Sequence, residues 1–380
     1  MPAKGDGITK RKDGRYVGRY TVHTPDGPKR KVIYGKRYKE VEKKLVEARG
    51  NAARGIVYND ENLTVGAYLD RWLSDAVRGS VRESTYFRDE CLVRVHVKPA
   101  LGRVKLKNLN AMHLQSLYRD RLDRGISEDK GLSGSTVQKI HHVLHKALSQ
   151  AVRWDLIPRN PADGVKAPTS STKEMRPLSG EEARRLLETA AGDRLEALYV
   201  LAVHTGMRRG ELLGLKWEDV DLEASTLRIR RTMTRTDNGK TLALGEPKTK
   251  QSRRTVRLTP RAVEALRRHR VRQAEEKLAA GGVYEDLGFV FAGEIGNLIN
   301  PSNLRQRSFI PLLERAGLPK ITFHDLRHTC ASLLFSKNIH PKLVQELLGH
   351  ARVAITLDTY SHMLPGMGGE AADAIGEALG

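Results

Sequence analysis

The stretch Thr205-Gly206-Met207-Arg208-Arg209-Gly210-Glu211 is the most informative part of this sequence. Gly206 ends one predicted helix, and Arg208 stands at the start of the next, where free backbone N–H groups and the helix dipole favour an anion. Glu211 follows three residues later, so its carboxylate can orient the Arg208 guanidinium through charge-assisted hydrogen bonds. The stretch therefore predicts a corner between two helices that presents an arginine to a phosphate.

Three shorter strings follow it towards the C-terminus. They are His324-Asp325-Leu326-Arg327-His328, Leu348-Gly349-His350 and Asp358-Thr359-Tyr360. His324 and Arg327 share one helical face, so both side chains can address a single phosphate. A phosphodiester transfer needs positive charge at the non-bridging oxygens, a nucleophile and a proton donor for the leaving oxygen. With Arg208 the strings offer all three, which suits attack by Tyr360 without a metal or a nucleotide.

Metal chemistry has weaker support in these residues. His324 and His328 are four residues apart on a predicted helix, but Arg327 lies beside them and no glutamate stands between them. That combination disfavours zinc, and it leaves His328 without a predicted role. His141 and His145 have the same spacing without a third ligand, which favours solvated or capping histidines.

Each string also has an ordinary interpretation when it is taken alone. Tyr360 is consistent with an amphipathic aromatic residue, and His350 after Gly349 with a cation at a helix C-terminus. No phosphate-binding loop is present, because Gly210 to Lys216 has the wrong spacing. Only the joint occurrence of the four strings argues for chemistry.

The charge of the chain points to a polyanionic partner. In its 380 residues, 66 Lys and Arg stand against 45 Asp and Glu, which gives a formal charge of +21. Residues 1–60 alone carry 16 basic and 7 acidic residues. Nucleic acid is the predicted partner, whereas membrane binding would need a basic amphipathic helix with apolar anchors. A basic protein that is merely soluble is the alternative.

Length and hydropathy predict two or three domains and a cytoplasmic protein. The 39% hydrophobic content is sufficient for buried cores. No apolar run of 18 residues and no signal-peptide pattern occurs. Cys91 and Cys330 lie in unrelated predicted helices, so both are expected to be reduced and buried.

The N-terminal segment predicts a small basic sheet backed by one helix. Alternation predicts a strand over 16–23, a turn at Pro25-Asp26-Gly27, a returning strand over 31–35 and a helix over about 38–54. A basic cluster on this sheet fits phosphate contact, with a solvated charged face as the alternative. Its residues are Lys29, Arg30, Lys31, Lys36 and Arg37.

A helical segment follows a predicted linker at 56–63 and begins near Thr64. Its clearest helix runs over 135–154, with an apolar stripe on one side and three cations, Lys139, Lys146 and Arg153, on the other. Residues 167–172 have the composition of a second linker. These cations are candidates for DNA contact.

The last segment mixes helices and strands. A capping box of Ser179 and Glu182 predicts a helix to about Ala190. Strands are predicted over 226–231 and 253–258 with a hairpin turn at 237–239. Further helices are predicted near 260–280, 301–316, 323–336 and 341–348.

The order and spacing of the four strings resemble the tyrosine recombinases, and the whole chain is similar to a phage-type, lambda-like integrase. Specific motifs cover about 173–364. The resemblance implies a multidomain, mainly α protein with small β elements. It implies an arm-type DNA-binding domain of three strands and a helix over 1–58, a helical SAM-like core-binding domain over 62–166, and an α+β catalytic domain over 173–380.

The resemblance also implies roles for matched positions. Tyr360 is the nucleophile that forms a 3′-phosphotyrosyl bond, Arg208 and Arg327 clamp the scissile phosphate, and His324 and His350 assist proton transfer and phosphate binding. Glu211 matches the supporting acidic position. Lys248, in the predicted hairpin, matches the lysine that protonates the leaving 5′-oxygen, although Lys250 stands two residues away and is the alternative.

The implied partners are double-stranded core-type and arm-type DNA attachment sites, a homotetramer on DNA, an excisionase and a DNA-bending host factor. No cofactor is implied, because exchanging one phosphodiester for a phosphotyrosine ester conserves the bond. Two other interpretations stay open. One is a type IB topoisomerase, against which the separate basic N-terminal domain argues. The other is a DNA-binding regulator without chemistry.

Overall fold

The computed structural model divides the chain into two compact units, Met1–Thr172 and Lys173–Gly380. The residues that it describes are 7–24, 27–53, 62–124, 131–169, 175–236, 241–246, 252–360 and 376–379. None of the helices within these ranges has the length and apolar character needed to cross a membrane. The three predicted domain boundaries stay a prediction, because the predicted linker over 56–63 lies mostly outside the described residues.

The N-terminal residues form an antiparallel sheet of three strands with one helix. The strands are β1 (Ile8–Lys10), β2 (Tyr16–Thr24) and β3 (Gly27–Gly35), in that order, and the helix is α1 (Tyr38–Ala53). Val41 and Leu45 of α1 are buried against the sheet. A Cβ on Gly18 would lie 3.1 Å from Val41 and 3.2 Å from Leu45, so this glycine lets the helix approach closely. The predicted strand and helix are thus confirmed; Pro25 and Asp26 of the predicted turn lie outside the described residues.

Strand alternation separates the predicted basic cluster. Ile33 lies opposite Gly18 on the helix side, so Lys31, two residues away, is on that side too. Arg30 is on the other face and is exposed, with Arg19 of the neighbouring strand. Lys36 and Arg37 are exposed between β3 and α1. The side chain of Lys29 is not among those described.

The second part of this unit is helical. Its helices are α2 (Val65–Trp72), α3 (Glu83–Leu92), α4 (Lys98–Leu101), α5 (Ala111–Asp123) and α6 (Gly134–Arg153), with π-helical turns at Leu73–Val77 and Val93–Val97. The apolar stripe of α6 is buried, and Tyr68 and Trp72 pack in the same core. Lys139, Lys146 and Arg153 are exposed at seven-residue intervals and so form one stripe along α6.

Two expectations are wrong in this helical part, that Cys91 is buried and that His141 is solvated or caps a helix. Cys91, on α3, is exposed rather than buried, whereas Cys330 is buried as expected. His141 is buried and its Nδ1 lies 3.1 Å from the Tyr118 hydroxyl, while His145 Nε2 lies 2.9 Å from Asp163. Both histidines therefore have protein partners.

The second unit surrounds one buried helix. Helix α8 (Glu196–Thr205) is buried along nearly its whole length, because Ala197–Val203 are all apolar. The predicted capping box is confirmed at the start of α7 (Gly180–Thr189), where Ser179 and Glu182 exchange hydrogen bonds. The remaining helices are α9 (Arg209–Leu213), α10 (Pro260–Ala280), α11 (Pro301–Asn303), α12 (Ile310–Arg315), α13 (Asp325–Phe335), α14 (Pro341–Leu348) and α15 (Val353–Tyr360).

Two small antiparallel sheets complete the unit. The first has the order β4 (Val220–Asp221), β5 (Thr226–Ile229), β8 (Arg254–Arg257), and the second pairs β6 (Thr232–Thr236) with β7 (Thr241–Gly245). The strand predicted over 226–231 ends at Ile229, and beyond it Arg231 Nη1 donates a hydrogen bond to Asp219 at 2.5 Å. Strands β6 and β7 lie on either side of the predicted hairpin turn, whereas helix α15 was not predicted. The predicted turn residues 237–239 lie outside the described ranges.

Candidate active site

The corner between α8 and α9 is built on Gly206. Its backbone is left-handed, at φ 61° and ψ 20°, which favours glycine. A Cβ there would also lie 2.5 Å from Leu348 and 3.2 Å from the Cys330 sulfur. The Gly206 carbonyl accepts a hydrogen bond from Arg327 Nη1 at 2.8 Å. The glycine therefore lets α13 and α14 approach the corner and orients one of the two arginines.

Glu211 orients the other arginine. This buried carboxylate accepts hydrogen bonds from Arg208 Nη1 at 2.7 Å and from the Arg208 backbone N–H at 3.0 Å. Burial acts to raise the pKa of Glu211, but the guanidinium groups of Arg254 and Arg208 outweigh it and hold that pKa below its ordinary value. Arg208 Nη2 also donates to the carbonyl of Gly349 at 3.3 Å, next to His350.

Arg254, on β8, is a residue of this cluster that the sequence reasoning missed. Its side chain is 8% exposed. Its Nη2 lies 3.2 Å from Glu211, and its Nε donates to the carbonyl of Leu347 at 2.6 Å. Arg254 thus joins the Glu211 carboxylate to the C-terminal end of α14, one turn before His350. Its signal in the sequence is slight, because an arginine in a predicted strand is commonplace.

Arg327 is buried, with 2% of its surface exposed. Burial and the charge of Arg208 lower its pKa to about 9, so it remains cationic at neutral pH. Its Nη2 is buried and has no hydrogen-bond partner among the described residues. A buried guanidinium nitrogen without a protein partner is costly unless an anion completes its hydrogen bonds. The cluster is therefore suited to bind an anion at Arg327.

His324 and His350 are close enough to Arg208 and Arg327 to feel the positive charge of both. His324 is the residue before α13, and its ring centroid is 4.9 Å from that of His328. His350 follows the left-handed Gly349, and its Nδ1 lies 2.8 Å from Thr356 Oγ1. Desolvation by the surrounding protein, followed by neighbouring positive charge, lowers the pKa of each imidazole to about 4. Both are neutral at pH 7 in the free protein.

Tyr360, at the end of α15, is 1% exposed. Its ring packs in a small apolar cluster with Phe335, Val344 and Leu348. Burial raises the pKa of Tyr360 to about 12, against the opposing charge of Arg327. Its hydroxyl lies 2.7 Å from Nδ1 of His328, a histidine to which the sequence analysis gave no role.

The predicted site residues are therefore only partly brought together within the described ranges. Arg208, Glu211, His324, Arg327, His350 and Tyr360 form one connected cluster, with Arg254 and His328 as additions. Lys248 and Lys250 lie outside the described residues, between β7 and β8. The cluster can bind a phosphate, hold a phenol beside it and exchange protons through neutral imidazoles.

Comparison with known proteins identifies the family. The phage integrase family model matches residues 176–366, and the model of the phage integrase N-terminal SAM-like domain matches residues 64–122. A tyrosine recombinase XerC-like protein of Caldanaerobacter subterraneus is 35% identical over 353 residues, which cover 88% of each chain. This chain belongs to the phage integrase family.

Other integrases agree with that assignment. The ICEBs1 integrase of Bacillus subtilis is 28% identical and aligns with 66% of this chain and 68% of its own length. The Tn1549 transposon integrase, solved in complex with circular intermediate DNA, superposes with a TM-score of 0.68 at 22% identity, covering 84% of this chain and all of that one. A lambda integrase dimer bound to a core site covers 97% of each chain with a TM-score of 0.57 at 19% identity. The predicted integrase resemblance and fold class are confirmed.

Proposed function

We propose that this integrase-family chain is a site-specific DNA recombinase of a phage or other mobile element, which cuts and rejoins DNA through a covalent 3′-phosphotyrosyl intermediate on Tyr360. Family membership supports recombination of DNA. One structural observation supports the chemistry most strongly: the buried Arg327, whose Nη2 has no partner among the described residues, stands in one cluster with Arg208, two neutral histidines and a buried tyrosine.

Arg208 and Arg327 hold the scissile phosphate in this proposal. Guanidinium groups match a phosphate with paired hydrogen bonds, and donors fixed before the reaction stabilise the charge that develops in the transition state. Glu211 and the carbonyl of Gly206 orient the two arginines. His324 and His350, neutral in the free protein, gain protons more easily once phosphate is bound and then contribute hydrogen bonds to it.

Tyr360 gives its hydroxyl proton to a neighbouring imidazole as it attacks phosphorus, and the bond from phosphorus to the 5′-oxygen breaks. Lys248 protonates that oxygen, with Lys250 as the alternative donor. A 5′-hydroxyl from another strand reverses the step. The bond energy is conserved in the phosphotyrosine ester, so the reaction is proposed to need neither ATP nor a metal. The arginines supply the charge stabilisation for which other phosphoryl-transfer enzymes use metal ions.

The remaining basic residues are proposed to select the DNA. The exposed stripe of Lys139, Lys146 and Arg153 on α6 contacts the core site, and the basic residues of the N-terminal sheet, which include Lys29, Arg30, Lys31, Lys36 and Arg37, contact a distal arm site. Both sets act on phosphates. We further propose a homotetramer on DNA, acting with an excisionase and a DNA-bending host factor in the bacterial cytoplasm.

The test is covalent trapping on a nicked duplex that spans the direct repeat bracketing the element. We expect the wild-type chain to form a protein–DNA adduct that survives denaturation, with EDTA present and ATP absent. Tyr360→Phe should bind the duplex and form no adduct, while Tyr284→Phe, a matched control in the same unit, should form it at the wild-type rate.

Mass spectrometry identifies the attachment site without ambiguity. Trypsin cleaves after Arg352, and the peptide from Val353 to the C-terminus contains a single tyrosine, Tyr360. An adduct on any other peptide, or an adduct that persists in Tyr360→Phe, would contradict the assignment. Relaxation of plasmids that lack the repeat would favour a topoisomerase instead.

A further inference from the structure

The hydroxyl of Tyr360 has a single hydrogen bond within the part of the chain that the structure describes, and the partner is His328. The distance from Oη to His328 Nδ1 is 2.7 Å, and the two ring centroids are 5.6 Å apart. His328 belongs to α13, one turn after His324 and next to Arg327, so it faces the same cluster. Its ring is half-buried, which limits the access of bulk water to the hydroxyl.

We propose that His328 is the general base that takes the proton of Tyr360 when this tyrosine attacks DNA. The proposal deepens the function proposed above and rests on it. As the bond between Oη and phosphorus forms, the hydroxyl proton moves to Nδ1 of His328, and the bond from phosphorus to the 5′-oxygen breaks. That oxygen takes a proton from Lys248. When the strand is rejoined, the incoming 5′-hydroxyl gives its proton to Lys248 and His328 returns its proton to the tyrosine, so no net proton is consumed.

The other basic groups of the cluster are less suited to this step. Nδ1 of His350 lies beside Thr356 Oγ1, and Arg208 and Arg327 are cations that cannot accept a proton. His324 contacts the ring of His328, and no hydrogen bond joins it to Tyr360 among the described residues. His328 is thus the described group that already touches the atom from which the proton must leave.

The surroundings of His328 allow both of its charge states. Burial lowers its pKa, against the carboxylate of Asp325 one turn earlier, with Arg327 adding to the lowering. His324 and His350 are the other titratable groups nearby, and both are neutral at pH 7. An imidazole that is neutral at rest can accept a proton, and the Asp325 carboxylate then stabilises the imidazolium. For Nδ1 to accept, the resting proton must be on Nε2.

A purely structural role is the competing explanation, in which His328 only holds Tyr360 in place. His328→Asn distinguishes the two. The Asn Oδ1 can occupy the position of Nδ1 and keep the hydrogen bond to Oη, but an amide does not take up a proton at neutral pH. His328→Ala removes both functions. Binding of each variant to the nicked duplex and its circular dichroism spectrum report whether it is folded.

The measurement is the single-turnover rate of adduct formation between pH 5.5 and 9. General-base catalysis contributes roughly 100-fold or more, so His328→Asn should be about 100-fold slower than wild type and lose the acidic limb of the pH profile. Added imidazole should accelerate His328→Ala. A rate for His328→Asn within threefold of wild type would overturn the proposal, and so would an unchanged acidic limb.

A 5′-bridging phosphorothiolate duplex separates base from acid, because its thiolate leaving group needs no proton. On this duplex the rate of adduct formation by Lys248→Ala should return towards the wild-type rate, while that of His328→Asn should stay slow. A restored rate for His328→Asn would mean that His328 acts on the leaving group, and it would overturn the proposal. If the wild-type chain forms no adduct on Tyr360, the proposed function fails first. A wild-type adduct with unimpaired His328→Asn contradicts the base alone.

Discussion

Positive charge is mostly buried in the candidate active-site cluster and exposed on the N-terminal sheet. Arg327 and Arg254 are buried, and each donates a hydrogen bond to a backbone carbonyl. Arg254 also bonds the Glu211 carboxylate, whose charge acts on Arg327 as well. Arg19 and Arg30 are exposed on the open face of a thin sheet, among the apolar Val32 and Tyr34. Buried charges are fixed before a ligand arrives, whereas exposed charges are solvated and must be ordered by it. The first arrangement suits catalysis, and the second suits additive binding to a polyanion.

The strongest test of this contrast is Arg327→Lys. Lysine keeps the charge but cannot donate to the Gly206 carbonyl and to a phosphate in the planar geometry of a guanidinium. We expect adduct formation to slow by about 100-fold or more, the usual effect of losing one fixed donor to a developing negative charge. Single-turnover trapping gives the rate, and duplex binding by the variant serves as the folding control. A rate near wild type would mean that charge alone suffices and that the burial of Arg327 is incidental.

Glu211→Gln tests whether the cluster carries stability as well as chemistry. The amide leaves the buried guanidinium of Arg254 without its carboxylate, which should cost about 3 kcal/mol of unfolding free energy. Hydrogen exchange of the α8 peptides, followed by mass spectrometry, reports on this unit within the full chain. Adding Arg254→Met should recover part of the loss. Equal protection in wild type and Glu211→Gln would show that Arg254 is hydrated.

Acid should lower the stability of the unit Lys173–Gly380 through two histidines that are neutral when it is folded. The pKa values of His324 and His350 are about 4 in the folded chain and return to about 6.5 on unfolding. Between these values the unfolded state binds more protons, so stability falls as the pH is lowered from about 6.5 and levels off near 4. Protection of α8 should show this slope. A double substitution of both histidines by Asn should flatten it, and an unchanged slope would assign it to other groups.

Most of the fold could be predicted from the sequence, because local rules govern it. The alternation of β2, the apolar stripe of α6 and the capping box of α7 are each decided by residues close together in the chain. The exceptions depend on distant partners. The strand predicted over 226–231 ends at Ile229, beyond which Arg231 bonds Asp219, twelve residues earlier in the chain. Lys31 lies on the helix side of its sheet because of the pairing of Ile33 with Gly18.

The site was predictable in its residue types and less so in its connections. Arg208, Glu211, Arg327 and Tyr360 stand in motifs whose order carries the family resemblance, although their individual roles stay predictions. Arg254 and His328 enter the cluster through contacts over 43 and 32 residues of sequence, and neither residue is unusual in its own segment. No local pattern can report such pairs. Gly206 was predictable in part. A glycine at the end of a helix is a local signal of a left-handed backbone, whereas the closeness of Leu348 to this glycine depends on residues far away in the chain.

The smallest predicted effect belongs to the exposed side of the comparison. Arg30→Gln removes one exposed charge from the open face of the sheet and leaves its folding unaffected. If Arg30 contacts one phosphate of the arm site, the slope of log affinity against log salt should fall in magnitude by about 0.9, and the loss of affinity should shrink as salt rises. Electrophoretic mobility shifts on an arm-site duplex at several salt concentrations measure this.

Glu40→Gln, at an exposed acidic residue of α1, is the matched control and should leave the slope unchanged or raise it slightly. Adduct formation on the nicked core duplex should be the same in both variants, because Arg208 and Arg327, to which the chemistry is assigned in the proposal, belong to the other unit. If Arg30→Gln also lost adduct formation, the exposed charges of the sheet would be needed for the reaction as well as for binding DNA, which would contradict the proposed separation of the two roles.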